Sequence, residues 1–264
     1  MNKVIRAEFG RTINAGLIIA IAGIIFSICF DSFNDLIAGL RNGQEYVGYF
    51  FSNAAFGGMC THYMLPVFTA LPFSVSLCQE RNNKAVSYIV SREGKNRYIF
   101  AKFIVSAISG GFVAACGTVL LFLMLAMRFP IAGDEFEGAV VSDYFHEWSA
   151  VYYPQLYILT LSILAFCRGV IWSSLALCVS LYTSDFMVVL LSPFLGSYVL
   201  VRIFQIIRVP DMVRPDMILI GQVVIKSSGL TLIIAIAISL TIVTLIGAFF
   251  VGKMREGLKS GTIY

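Results

Sequence analysis

The stretch QERNNKAVSYIVSREGKNRYIFAK, Gln79 to Lys102, decides how the rest of the chain is read. It sets Arg81, Lys84, Arg92, Lys95, Arg97 and Lys102 against only Glu80 and Glu93, and long apolar runs flank it on both sides. The 264 residues are 58% hydrophobic and 13% charged, with a mean hydropathy of +0.85. Soluble domains carry about a quarter of their residues charged, so these values imply an integral membrane protein. A segment this basic cannot lie in hydrocarbon. Positively charged loops stay on the cytoplasmic side, so residues 79–102 orient every other segment.

Outward from it, the apolar runs recur too evenly to leave room for a separate globular domain, and residues 1–264 read as one transmembrane domain. The expected architecture is all-α, with six transmembrane helices at about 15–30, 60–79, 103–127, 156–182, 186–207 and 229–251. Residues 2–14 place Ile5, Phe9 and Ile13 on one stripe at spacing four, which predicts an amphipathic helix on the cytoplasmic leaflet. The first span is short unless Asp31 to Leu40 extends it as helix, and Pro66 and Pro72 predict a kink in the second. Ala107, Gly111 and Ala115 form a small-residue ladder in the third, suited to close helix packing within the chain or between chains. Met217 to Ile225 is too short to cross a bilayer and reads as an interfacial or re-entrant element before the last span.

Charge supports this arrangement. Twelve of the 19 Lys and Arg fall in the N-terminus, the 79–102 segment and the C-terminal tail; six fall on the opposite side, and Arg168 lies within span four. Ten of the 15 acids fall on the outer side. Both termini are therefore expected in the cytoplasm. The outer loop 128–154 gathers Asp134, Glu135, Glu137, Asp143, Glu147 and His146 and ends in Tyr144, Trp148, Tyr152, Tyr153 and Tyr157, an aromatic belt at a membrane interface. No metal-ligand spacing repeats among these residues, and His62, at the outer edge of span two, stands alone, so no metal site is expected. Five of the six cysteines fall in or beside apolar runs as small hydrophobes. The positive bias is spent on one face of the bilayer, and no nucleic-acid partner is expected.

The chain has no GxSxG, HExxH or P-loop pattern. It is not expected to be an enzyme or to need a cofactor, and any energy for transport must come from another subunit or an ion gradient. A gradient-driven carrier calls for acids buried in the spans, and Asp31, Glu80 and Asp185 all stand at span ends. The one charge within a span is Arg168, a candidate to attract an anionic substrate group or to pair with carbonyls or a carboxylate between helices.

With its Glu80-Arg81, Ser87-Tyr88-Ile89-Val90-Ser91-Arg92, Arg97-Tyr98 and Lys102, the basic segment resembles the stretch between the second and third spans of permease subunits of ABC-2 type exporters. Asn83-Lys84 replaces that family's common Gly-Thr, and Glu93-Gly94 stands where a proline is often seen. The six spans, the amphipathic N-terminal helix and the re-entrant element are similar too. The resemblance implies a subunit of the bacterial cell membrane that pairs with a second permease chain. It also implies a separate ATP-binding cassette ATPase that docks on a short coupling helix in 79–102, with Glu80, Arg81, Lys84, Val86, Tyr88, Ile89 and Arg92 at the interface. A peptide, lipid or drug-like amphiphile would be the cargo. The rival readings are a gradient-driven secondary transporter and a non-transporting anchor or sensor that recruits a cytoplasmic partner through the same segment.

Overall fold

In a computed structural model, residues 2–42, 47, 58–131, 154–221, 223, 225 and 227–260 are described. Among these residues the secondary structure is entirely helical. In chain order the helices are α1 (Asn2–Thr12), α2 (Ala15–Asp31), α3 (Phe33–Asn42), α4 (Met59–Ala70), α5 (Ser76–Asn82), α6 (Val86–Glu93), α7 (Lys95–Ala126), α8 (Pro154–Val179), α9 (Phe186–Ile207), α10 (Pro215–Ile220) and α11 (Ser228–Ser260). Four of them, α7, α8, α9 and α11, are long and apolar enough to cross a membrane, and the bent pair α1–α2 makes a fifth if counted as one span. The acidic stretch with His146, and the aromatic residues Tyr144 to Tyr153, lie outside the described residues.

The first helix departs from a simple amphipathic reading. Its buried face is Val4, Glu8 and Thr12, turned onto α7, whereas Ile13 of the expected stripe is exposed. The chain then bends by 56° into α2. Asn14 makes that bend: its Oδ1 accepts from the Leu17 N–H at 3.1 Å, capping α2, while its Nδ2 donates to the Pro72 carbonyl at 3.3 Å. The extension beyond α2 is helical, as α3, after a break at Ser32.

The second apolar segment is broken rather than kinked. α4 stops at Ala70, residues 71–75 form turns, and α5 begins at Ser76. Pro72 has no N–H to donate and its ring excludes the preceding turn, so the helix cannot run through it. The start of α4 is instead well anchored: Asp31 accepts from the Cys60 and Thr61 N–H groups at 2.9 and 2.6 Å, a carboxylate on the positive end of a helix. α11 runs past 251 to Ser260, so Lys253, Arg255 and Lys259 lie on helix rather than in a tail. At about 1.5 Å per residue, α7 and α11 are each longer than a hydrocarbon core of about 30 Å requires.

At the centre is the pair α7–α8, which packs more extensively than any other. Small residues set its spacing. A Cβ on Gly169 would lie 2.5 Å from the Gly110 carbonyl oxygen, and one on Gly110 would lie 2.4 Å from the Ser173 side chain. The close approach foreseen around Gly111 is therefore internal to the chain, and its partner is α8. Tyr157, expected in an interfacial belt, is buried in the main core with Leu161, Val113 and Leu121. By contrast α9 and α11 carry exposed Leu195, Val199, Leu240 and Leu245 on their outer faces.

Because a Gly169 side chain would meet backbone, Gly169→Val should destabilise the protein by about 3 kcal/mol. Gly252 has nothing within 4 Å of its added Cβ and sits inside α11, so Gly252→Ala should stabilise by about 0.5–1 kcal/mol. Thermal unfolding midpoints of the two purified variants, measured side by side in detergent, check both signs.

Candidate functional site

Two places combine buried charge with access, one at the basic end of the bundle and one near the middle of α8. At the first, Lys102 of α7 is fully buried. Its Nζ donates to Glu80 Oε1 at 2.7 Å, to Glu8 Oε2 at 3.0 Å and to Ser76 Oγ at 3.2 Å, and lies 4.8 Å from the centroid of the Phe73 ring. Glu80 Oε1 also accepts from Arg11 Nη1 at 2.6 Å, and Glu80 Oε2 accepts from the hydroxyl of buried Tyr98 at 2.5 Å. Arg11 reaches Glu8 Oε1 at 3.2 Å. Two carboxylates and two cations thus neutralise one another, and the network ties α1, α5 and α7 together. An ammonium without water is tolerated only when paired and hydrogen-bonded in this way.

Next to Glu80 in sequence, Arg81 leaves α5 toward the α8–α9 connection. Its Nη1 donates to the carbonyls of Ser180, Leu181 and Thr183 at 3.0, 3.2 and 3.4 Å, and Asn82 Nδ2 donates to the Ser184 carbonyl at 3.2 Å. A cation at the end of α8 satisfies carbonyls that have no partner within the helix. Asp185 then starts α9 by accepting from the Met187 N–H at 2.8 Å. One turn of α5 therefore fastens the basic segment to α7 through Glu80 and to the α8–α9 hairpin through Arg81.

Resting on this base is α6. Val86 is fully buried among Leu77, Tyr98, Ile99, Met254 and Leu258, with Ile89 and Val90 partly covered beside it. Tyr88 is 69% exposed, and Lys84 and Arg92 also face outward. Of the seven residues expected at a partner's surface, Lys84, Tyr88, Arg92 and one side of Ile89 are thus presented together. Glu80 and Val86 turn inward, because the buried ammonium and the apolar base claim them, and Arg81 is spent on carbonyls. Lys84 has φ 52°, a left-handed conformation that glycine adopts more readily. The sequence reading missed the pairing of Glu8 with Lys102. Its signal was present, since Lys102 shares a helical stripe with buried Tyr98, Val105, Ser106 and Ser109.

The second place surrounds Arg168, which is 7% exposed. A cavity of about 160 Å³ is bounded by Arg168, Ile171, Trp172 and Leu175 of α8, by Ser197, Leu200 and Val201 of α9, by Ile242 and Ile246 of α11, and by Asp216 and Leu219 of α10. His62 of α4 closes one side. The sequence left His62 isolated, and the fold brings it to Arg168. Arg214 is buried and holds Asp216 through Nη2–Oδ2 at 2.7 Å and Nε–Oδ1 at 3.3 Å, with Asp211 at 3.2 Å. Hydrogen bonding to Asp216 raises the Arg214 guanidinium above its ordinary value, which keeps Arg214 charged.

Comparisons of the chain with protein-family models, with curated proteins and with solved structures find no match.

Removing the Lys102 ammonium leaves Glu8 and Glu80 buried together. Lys102→Met should therefore destabilise the protein by about 3–5 kcal/mol, whereas Lys102→Met combined with Glu8→Gln should recover part of that loss. Denaturation of the two variants against wild type, in one detergent, gives the comparison.

Proposed function

We propose that this chain is the membrane-spanning permease subunit of an ATP-binding cassette exporter, driven by a separate ATPase subunit and working beside a second permease chain. The observation that carries the reading is the setting of α6. It is a short helix with an apolar underside, an exposed aromatic–cation face, and rigid fastenings at its base to three separate parts of the bundle. A partner gripping Tyr88, Lys84 and Arg92 would move α6 and α5 as a unit. The displacement would pass through Glu80 to α1 and α7, and through Arg81 to the α8–α9 hairpin. Aromatic and Arg anchors suit such a contact, with flanking charges to steer the approach.

In this reading the bundle crosses the bacterial cell membrane six times. The broken α4–α5 segment is the second crossing, α1 lies along the cytoplasmic leaflet, and both termini are cytoplasmic. α10 and the turn before it form the re-entrant element on the far side. An amphiphile is the cargo class, and the exposed faces of α9 and α11 are available to lipid or to the second permease.

Two measurements test the reading. Affinity purification of the tagged chain from mild detergent should bring down an ATPase, and Tyr88→Ala with Arg92→Glu should reduce the co-eluting hydrolysis at least tenfold without changing the yield of folded permease. If folded wild-type chain carries no ATPase, the exporter reading fails. For topology, single cysteines at Ser91 and Met212 in a cysteine-free background should react with a membrane-impermeant maleimide from opposite sides, Ser91→Cys only in inside-out vesicles. Labelling of both from one side would exclude the six-span arrangement.

A further inference from the structure

We infer that the cavity at Arg168 binds a single-chain amphiphile with one anionic head, a carboxylate or a phosphate, with the head on the Arg168 guanidinium and the chain against α9 and α11. Arg168 makes no hydrogen bond or ion pair with any described residue, although it is buried. A guanidinium has five N–H donors and no means of losing its charge at ordinary pH. Asp216, the carboxylate lining the same cavity, has both oxygens on Arg214, so it attracts Arg168 only at longer range. On its other side Arg168 borders a void of about 20 Å³ shared with Thr61, whose buried hydroxyl also lacks a partner. That space suits one water, and the rest of the guanidinium faces the larger, mostly apolar cavity with no carboxylate paired to it.

The unmet donors therefore call for an anion, and the cavity walls say what kind. Apart from Arg168 itself, His62, Ser197 and Asp216, the residues lining the larger cavity are apolar. A free inorganic anion would face oil on most sides. A ligand with an apolar body would instead bury it against Leu175, Leu200, Val201, Ile242 and Ile246. Two walls belong to the peripheral helices α9 and α11, whose outer faces also expose the apolar residues Val199 and Leu245. A zwitterionic or cationic head would add positive charge beside Arg168, which disfavours it.

The test uses the intact chain alone in phosphatidylcholine nanodiscs, without an ATPase, so its failure leaves the ATPase-docking reading standing. The protein has two tryptophans, and Trp148→Phe leaves Trp172 in the cavity wall as the sole energy donor. The fluorescent fatty acid cis-parinaric acid should quench Trp172 saturably, and its methyl ester should bind at least about tenfold more weakly, the loss expected for a charge-assisted hydrogen-bond pair. Arg168→Gln should weaken the acid similarly, and Arg168→Lys should restore part of the affinity. Oleate should displace the probe; stronger displacement by lysophosphatidate assigns the head as phosphate, and weaker displacement assigns it as carboxylate. Equal affinity of acid and ester on the wild-type chain overturns the inference even where the Arg168→Gln variant does not fold. Lack of displacement by either competitor overturns it as well.

Discussion

Burial of the Lys102 ammonium is the constraint on which the basic end of the structure depends. Lys102 follows α7 into the bundle at a depth where water cannot reach it, so its charge must be answered from other elements. Glu80 arrives from α5 and Glu8 from α1, three separate stretches of sequence meeting within 3.0 Å. Because each carboxylate also holds Arg11, no single member can leave without stranding another. The position of α1 follows from this network more than from its apolar stripe. That explains why Val4, Glu8 and Thr12 face the protein while Ile13 faces out.

The same logic makes α5 a fulcrum. It has only seven residues, too few to hold itself as an isolated helix, and its stability comes from what its side chains grip. Glu80 and Arg81 are adjacent in sequence and therefore point to different sides of the helix, one toward the charge network and the other toward the open carbonyls of α8. α6 adds the buried anchor Val86, inserted between α7 and the last turns of α11. A force on the exposed face of α6 has few ways to dissipate locally, since its underside and both neighbouring segments are bonded to long helices. Fastening of this kind is what a coupling element requires.

How much of this was legible in the sequence depended on range. Hydropathy identified the long helices, because that signal is local, whereas the short helix within 79–102 was expected only from the resemblance to the ABC-2 permease segment. Pro72 marked the weak point of the second apolar segment, but whether a proline kinks or breaks a helix depends on what neighbours offer the freed groups. Here Asn14 takes the Pro72 carbonyl, from 58 residues away. Charge along the chain identified the basic segment but not the fate of each charge. Glu80 and Arg81 were expected at the interface, since their partners lie 18 to 102 positions distant and leave no mark on local pattern. The same applies to His62, whose neighbour Arg168 is on another helix.

Two of the buried cations among the described residues, Lys102 and Arg168, are treated in opposite ways. Lys102 is enclosed, paired twice and covered by aromatic rings, an arrangement that leaves no donor for a ligand. Arg168 is also buried, yet Asp216, the carboxylate lining the same cavity, is held by Arg214, and the space in front of it is open and apolar. Had a charge at the middle of α8 served only to hold helices together, an acid on α4, α7 or α11 would give it a partner as Glu80 does for Lys102. The fold instead directs Arg214 onto Asp216 and keeps the Arg168 guanidinium facing a cavity bounded by the two least embedded long helices. Leaving a buried charge unmatched is costly in the empty protein, and such a group becomes favourable only in a state that supplies the missing partner.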